Sequence, residues 1–236
     1  MRRIGFSTAA LAQADLRREL TTMRSAACAA VEFAALRQTD LFPLLGSLET
    51  LDLTGFEYIS IHLPRQFELD WETLAWGRLI EESWRDWSVV VDPETLFDFS
   101  LWQSFGHLLC IDTMDKRKPL GRVAAELRPI FDRLPHATFC FDLGMARLSD
   151  PTMAGAHLIL REFGPKLSQV RMSEANPQGK RDPVSAASIR AFQEVVHLIP
   201  EEVPLILEMP AAAGQIEAEV AKVRQALPSG SRIRVA

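Results

Sequence analysis

The chain has 236 residues, of which 47% are hydrophobic and 24% are charged, and its formal net charge is −5 at pH 7. This is the composition of an ordinary globular protein, and the acidic balance argues against a surface that binds nucleic acid.

Three cysteines, Cys28, Cys110 and Cys140, do not make a disulfide framework, so we expect a reducing, cytoplasmic location. No run reaches the roughly 20 apolar residues of a membrane span, so no membrane association is expected.

Strand-like and helix-like segments alternate along the chain. The predicted strands cover residues 2–8, 29–35, 58–64, 87–93, 107–113, 137–143, 167–174 and 203–209. The helical patterns between and after them lie around 16–23, 41–48, 72–86, 96–105 (the weakest), 121–134, from Asp150 onward, 185–199 and 214–227. Asp150 is the predicted N-cap of its helix, with Pro151 in the first turn. Eight such units predict a parallel sheet closed into a single (β/α)8 TIM barrel, an α/β domain over residues 1–236.

The N-terminal segment MRRIGFSTAALAQA has two interpretations. Its two arginines, its short apolar stretch and its Ala-x-Ala are similar to a small signal peptide. Ser7, Thr8 and Gln13 interrupt the apolar stretch, however, and residues 2–8 also have the pattern of a first strand. We take the strand, and with it the cytoplasmic location, as the prediction.

Polar residues stand at the ends of seven of the eight predicted strands. They are Glu32, His62, Asp92, Asp112, Asp142, Arg171 and Glu208. Alternation places each on the same face as the residue two positions earlier, and those earlier residues are mostly small, whereas the other face carries bulky pairs such as Phe139 and Phe141. We therefore expect the polar side chains to point into the barrel at its C-terminal mouth, where barrel enzymes have their active sites.

Five of these strand-end residues are carboxylates, and Glu174, just past the seventh strand, is a candidate sixth. Like charges held this close cannot all stay ionised unless a cation joins them. A divalent metal is the usual solution. For any single carboxylate, a helix cap or a partner for a basic residue at the rim is the competing interpretation.

The chain resembles the xylose-isomerase-like barrel superfamily, which contains sugar isomerases and epimerases and the metal-dependent apurinic-site endonucleases. The resemblance covers nearly the whole chain and rests on the segments SIHLP, VVVDP, IDTMDKRK, FCFDLGMA, QVRMSEAN and LILEMP. In relatives these strand ends supply histidines and carboxylates to divalent metals. The resemblance therefore implies a metal site at Asp112, Asp142 and Glu208, if a metal is bound.

The match to the ligand pattern of the family is partial. His62, Asp142, Asp182 and Glu208 match, whereas a glutamate is usual at Asp112 and histidines are usual at Asp92, Met145, Arg171 and Arg181. A thioether is a poor ligand for the metals of this family, and a guanidinium is not deprotonated and cannot be a ligand. We expect weak binding of Mn, Zn or Mg at most. Arg171 either takes the place of the metal beside Asp112, Asp142 or Glu208, or it points into solvent.

The residue chemistry and the resemblance together suggest roles. The candidate catalytic residues are His62, Asp112 and Glu208, since imidazole and carboxylate groups transfer protons; a buried structural histidine is the alternative for His62. The candidate substrate-binding residues are Glu32, Asp92, Arg171, Glu174, Lys116 and Arg181. Basic residues in the mouth loops indicate an anionic ligand such as a sugar phosphate, although a solvated rim is the competing interpretation for any single lysine; sugars and small polyols also fit the family. Cys110 and Cys140 are expected to pack one layer below the mouth, because nearby carboxylates disfavour thiolates.

Three classes of function stay open at this point. The first is a sugar or sugar-phosphate isomerase or epimerase with an altered site. The second is a non-catalytic relative that binds a small polyol or anion. The third is an apurinic-site endonuclease, which needs histidine ligands that are absent at Asp92, Met145 and Arg171, so nucleic acid is not the expected partner. The sequence does not indicate an oligomeric state.

Overall fold

The computed structural model describes residues 2–11, 15–65, 86–176, 178, 180–211 and 213–227. Eight parallel strands form a closed barrel: Ile4–Ser7 (β1), Ala30–Ala34 (β2), Tyr58–His62 (β3), Ser88–Val91 (β4), Leu109–Asp112 (β5), Thr138–Asp142 (β6), Leu167–Met172 (β7) and Leu205–Leu207 (β10). A small antiparallel ribbon of Glu174–Ala175 (β8) and Arg181–Asp182 (β9) lies between β7 and β10 in the chain. The predicted barrel is confirmed.

Helices alternate with the strands. They are Thr8–Leu11 (α1), Leu16–Ser25 (α2), Gln38–Leu48 (α3), Phe99–Gln103 (α4), Ala124–Arg133 (α5), Leu143–Ser149 (α6), Ala154–Phe163 (α7), Ala186–Gln193 (α8) and Ile216–Ala226 (α9). The weak pattern at 96–105 forms the short helix α4. The helix predicted at 72–86 lies outside the described residues, apart from Asp86. None of the described helices has the length and apolar character needed to cross a membrane.

The segment after β6 differs from the prediction. A helix, α6, begins directly after the strand, and its N-cap is Asp142, whose Oδ1 accepts a hydrogen bond from the Met145 backbone N–H at 2.9 Å. Asp150 ends α6, and α7 begins only at Ala154. The prediction that Asp150 is an N-cap was therefore wrong. Its carboxylate still accepts the Gly155 backbone N–H at 2.9 Å, which stabilises the start of α7 from five residues upstream.

Strand alternation separates an outer core from the barrel interior. Outward-facing residues such as Phe6, Phe33, Phe139 and Phe141 belong to the large hydrophobic core. The middle layer of the interior consists of Ala30, Ser60, Val90, Cys110, Cys140, Gln169 and Ile206, all 0% exposed. Val90, Cys110 and Cys140 form a cluster separate from the main core, as expected for residues inside the barrel. Burial raises the pKa of the Cys140 thiol, which favours its packing role.

Candidate functional site

Each barrel strand carries an inward-facing polar side chain in its C-terminal half or directly after its last residue. These eight residues, the mouth ring, are Ser7, Glu32, His62, Asp92, Asp112, Asp142, Arg171 and Glu208. All are buried except Glu208, whose side chain is 15% exposed. The sequence predicted seven members and missed Ser7, because the first strand was extended to Thr8, although Ser7 has the same parity as the others.

Arg171 lies inside the barrel and is 1% exposed. Its Nε and Nη2 donate to Glu32 Oε2 at 3.1 and 2.7 Å, and its Nη1 donates to Asp112 Oδ2. Burial alone would raise the pKa of Glu32, but the Arg171 charge and hydrogen bonds lower it. The interpretation in which Arg171 points into solvent is thus contradicted. Its pairing with Asp112 was among those expected, and Glu32 is a partner that the sequence did not indicate.

A buried hydrogen-bond network fixes Glu32 from below. Gln169 Nε2 donates to Glu32 Oε2 at 2.7 Å, while Gln169 Oε1 accepts from Tyr58 Oη at 2.9 Å and from Ser60 Oγ at 2.8 Å. Together with Nε and Nη2 of Arg171, Gln169 Nε2 makes three donors to the same oxygen, Glu32 Oε2. Its other oxygen, Oε1, and the hydroxyl of Ser7 on the neighbouring strand have no hydrogen-bond partner in the described structure.

A second guanidinium reaches the ring from the β8–β9 ribbon. Arg181 Nη1 lies 2.8 Å from Asp142 Oδ2, and its Nη2 lies 2.8 Å from Glu208 Oε2. Nη1 also donates to Ser173 Oγ at 2.9 Å. Burial opposes the charge of Arg181, but the two carboxylates raise its pKa on balance. Arg181, predicted as a substrate-binding residue, thus contacts the mouth ring. It pairs with Asp142 and Glu208, which the sequence analysis had named as candidate partners of Arg171.

Two neighbouring carboxylates on the opposite side of the mouth have different protonation behaviour. Asp92 Oδ1 lies 3.3 Å from His62 Nε2, and Asp92 Oδ2 lies 2.6 Å from Arg65 Nε. Burial would raise the pKa of Asp92, but His62 and Arg65 lower it to about 2. For Asp112, burial outweighs the Arg171 charge and raises the pKa to about 7. Carboxylates with separated pKa values are typical of acid–base sites. Arg65, in the loop after β3, was missed by the sequence prediction.

The described residues do not fit a divalent metal. Ligand atoms of His62, Asp92 and Asp112 lie within 4.8 Å of one another, yet both carboxylates already pair with a guanidinium. The set implied by the resemblance, Asp112, Asp142 and Glu208, is paired in the same way with Arg171 and Arg181. A metal in either place would stand beside a fixed positive charge that cannot become a ligand.

Glu174 and Lys116 lie away from the ring contacts. Glu174 Oε2 accepts the Ser185 backbone N–H at 2.9 Å and Oε1 pairs with Arg147 at 3.3 Å, so it stabilises the start of α8. Lys116 lines a separate cavity of about 350 Å³ beside α5, α6 and α7.

Several basic residues at the rim have acidic partners. Arg117 pairs with Asp115 at 2.5 Å, and Lys118 pairs with Glu94 at 3.0 Å. The rim therefore offers an anionic ligand fewer unpaired cations than the sequence indicated.

No protein-family model matches the chain, and no curated protein matches it significantly. Solved structures do match. The 3-keto-D-glucoside 4-epimerase from E. coli has a TM-score of 0.66 and 10% identity, covering 95% of this chain and 100% of that one. The D-allulose 3-epimerase from Methylomonas sp. has a TM-score of 0.62 and 11% identity, covering 96% and 98%. A xylose isomerase-like TIM barrel protein from Mycobacterium smegmatis, in complex with magnesium, has a TM-score of 0.60 and 12% identity, covering 96% and 97%.

The chain has the xylose-isomerase-like barrel fold. Identities this low establish the fold and leave the reaction to be argued from the site. Within this xylose-isomerase-like barrel, Met145 is buried and its backbone N–H is bonded to Asp142. Its interpretation as a lost metal ligand stays a prediction. Asp182 accepts a hydrogen bond from Asn176 Nδ2 at 3.2 Å and so stabilises the ribbon that carries Arg181.

Proposed function

We propose that the protein isomerises or epimerises a sugar by proton transfer at the barrel mouth. The observation that supports this best is Asp112, which is 2% exposed, has a pKa of about 7 and belongs to a ring of carboxylates, imidazole and guanidinium. A group that transfers protons at neutral pH works best when its pKa lies near that pH. Two structures of the same fold are named as sugar epimerases, which agrees with this choice of substrate class.

The proposed reaction needs three kinds of group. One removes the proton next to a carbonyl, a second stabilises the negative oxygen that forms, and a third returns a proton. We assign removal of the proton to Glu208, which is partly exposed and 2.8 Å from Arg181. We assign the return of a proton to Asp112 or His62, which lie on other strands of the mouth. The electron pair of the broken C–H bond forms a C=C bond while the carbonyl π pair moves to the oxygen, and both shifts reverse when the new C–H bond forms, so the reaction is balanced without an oxidant or reductant.

Charge at the ring favours an uncharged sugar over a sugar phosphate. Five ring carboxylates face three guanidiniums, those of Arg65, Arg171 and Arg181, and each of these guanidiniums is already paired. Sugar hydroxyls both donate and accept hydrogen bonds, and so suit such a surface better than a phosphate, which at neutral pH mainly accepts them. A phosphate at the rim, near Lys116, stays within the proposal as the second choice.

Deuterium exchange tests the proposed function. Aldoses, ketoses and 3-keto-glycosides are incubated with the protein in D₂O, and proton NMR follows the C–H signal next to each carbonyl. We expect loss of this signal with at least one sugar. Glu208→Gln and Asp112→Asn should each slow the exchange about 100-fold or more, as for a general acid or base. Glu194→Gln, an exposed carboxylate beyond α8, is the control. Absence of exchange with all these sugars would contradict the proposal.

The ion pairs of the ring support a second candidate, a non-catalytic barrel that binds a polyol. Asp112 and Glu208, the proposed proton-transfer groups, both pair with an arginine, which holds them in place but also occupies them. Calorimetric binding of a sugar without deuterium exchange would decide for this candidate. The apurinic-site endonuclease receives no support, because the described site does not fit the metal that such chemistry uses.

A further inference from the structure

We propose that Arg181 is the cation that binds the carbonyl oxygen of the substrate and that the site works without a divalent metal. This inference rests on the site of the proposed function and names its electrophilic group. Arg171 is then a positioning residue, buried beneath the site. The sequence resemblance had directed attention to Arg171, whereas the contacts below favour Arg181.

The two guanidiniums differ in access and in unused donors. Arg171 is 1% exposed and directs three N–H groups at Glu32 and Asp112. The Arg181 side chain is 16% exposed. Its Nη1 donates a hydrogen bond to Ser173 Oγ, and its contacts with Asp142 and Glu208 at 2.8 Å are ion pairs, so no described residue accepts a hydrogen bond from Nε or Nη2. Arg181 can therefore donate hydrogen bonds to a substrate oxygen without losing its present partners.

The structure holds Arg181 in place before any ligand arrives. Asp142 is fixed on its other oxygen by the Met145 backbone N–H at 2.9 Å. The ribbon behind Arg181 is closed by Asn176, whose Oδ1 accepts the Lys180 backbone N–H at 2.9 Å and whose Nδ2 donates to Asp182. Preorganised donors stabilise a developing oxyanion more than mobile ones do, because they need no reorganisation during the reaction.

Arg181 also lies beside Glu208, the carboxylate that we propose removes the proton next to the carbonyl group. Glu208 Oε2 is 2.8 Å from Arg181 Nη2, so a carbonyl oxygen on the free edge of the guanidinium would bring the neighbouring C–H group close to Glu208. The guanidinium supplies the positive charge that stabilises the enediolate oxygen. A metal is not needed for that role, and Asp112, Asp142 and Glu208 are already paired with arginines.

The test uses D-erythronohydroxamate, a sugar-like mimic of the enediolate, with calorimetry in excess EDTA. We expect the full-length protein to bind it with the chelator present. Arg181→Gln should weaken binding about 100-fold, in line with the loss of one oxyanion donor group. Arg181→Lys keeps the charge but loses the planar pair of donors, and should weaken binding about tenfold. Arg117→Gln, which removes a rim arginine paired with Asp115, is the control and should bind normally.

Each outcome separates this inference from the proposed function. Failure of the unsubstituted protein to bind the hydroxamate, equal binding by both Arg181 variants, or loss of binding in EDTA with recovery in Mn²⁺ would each overturn the inference. Sugar exchange that needs added Mn²⁺ would overturn it too, while leaving the proposed function intact. Arg181-dependent binding without exchange on any sugar would support the inference and contradict the proposed function. Thermal melts of the Lys variant show whether the site is still folded.

Discussion

At the scale of the single residue, Asp112 makes stability depend on pH in an unusual direction. Its pKa in the folded protein is about 7, against an ordinary carboxyl value of 3.8. The folded state therefore favours the protonated form. The contribution of Asp112 to the free energy of unfolding is fully present below pH 3.8 and is lost as the pH rises through about 7.

The change Asp112→Asn removes this titration. The stability of the variant relative to the unsubstituted protein should rise between pH 4 and pH 8, by an amount of the order of 2–4 kcal/mol, since one pKa unit corresponds to about 1.4 kcal/mol. Urea unfolding at both pH values measures the difference. A difference that is constant with pH would show that Asp112 is ionised throughout.

Asp92 should behave in the opposite way, because its pKa is lowered to about 2. Its charge contributes stability above the ordinary carboxyl pKa, and that contribution is lost as the pH falls through about 2. Asp92→Asn should therefore be less stable than the unsubstituted protein at neutral pH, and the gap should narrow in strong acid. Urea unfolding at pH 7 and pH 3 checks this, and a gap that widens in acid would contradict the assigned shift.

Ser7 and Ser60 are buried hydroxyls with different surroundings. Ser60 Oγ donates to Gln169 Oε1 at 2.8 Å, whereas Ser7 Oγ has no hydrogen-bond partner in the described structure. Ser60→Ala should cost about 1–3 kcal/mol, because a buried polar group loses a partner. Ser7→Ala should be neutral or stabilising by up to about 1 kcal/mol, because an unsatisfied hydroxyl is removed. Thermal unfolding compares the two variants, and equal destabilisation would indicate that Ser7 has a partner in solution.

At the scale of the element, the start of α6 connects the fold to the site. Gly144, in the first turn of α6, leaves no room for a side chain: an added Cβ would lie 2.6 Å from Ser173 O and 2.9 Å from Ser173 Oγ. That serine hydroxyl accepts the hydrogen bond of Arg181. Close packing of α6 on the end of β7 therefore also sets the position of the ribbon arginine.

The change Gly144→Ala tests this contact. Alanine normally stabilises a helix relative to glycine by about 0.5–1 kcal/mol. Here the clash should prevail, with a loss of about 1–3 kcal/mol, as for other overpacked sites. Gly46→Ala is the matched control, since Gly46 lies in α3 with nothing within 4 Å of an added Cβ, and should stabilise the protein. If both changes stabilise, α6 does not pack tightly on Ser173.

The sequence predicts a strand or helix well where a single sequence pattern determines it. Period-two strands alternating with helical patterns were enough for the barrel, and the eight barrel strands lie within the predicted ranges, whereas the ribbon strand Arg181–Asp182 was not predicted. The division between α6 and α7 was missed because two aspartates compete for the role of N-cap. Asp142 had been assigned to site chemistry alone, yet a carboxylate has two oxygens, and in the structure one caps α6 while the other pairs with Arg181.

At the scale of the whole molecule, parity within a strand predicts which residues meet at the mouth but not which of them pair. The inward-facing set needs only the alternation of side chains. The pairing depends on long-range geometry, because Arg65 comes from the loop after β3 and Arg181 from the β8–β9 ribbon. No local pattern indicates that Arg181 takes Asp142 and Glu208 while Arg171 takes Glu32. The single domain over residues 1–236 stays a prediction.

Arg171 and Gln169 connect β7 across the barrel to β2, β3 and β5, so the interior is joined by polar contacts as well as by packing. Loss of Arg171 leaves Glu32 and Asp112 as buried, uncompensated carboxylates. Breaking a buried ion pair from one side costs about 3–5 kcal/mol. We expect Arg171→Ala to lose this much stability at pH 7 in urea unfolding.

The same variant should recover part of its stability in mild acid. Without Arg171, burial raises the pKa of Glu32 above its unfolded value, so the stability lost through this group at neutral pH returns as the pH falls and the carboxylate is protonated. The matched control is Arg128→Ala, because Arg128 forms an exposed bidentate pair with Glu162 at 2.5 and 2.7 Å. An exposed pair contributes about 0–1 kcal/mol. A loss for Arg171→Ala as small as that of the control, and unchanged between pH 7 and pH 5, would show that water reaches the ring and screens its charges.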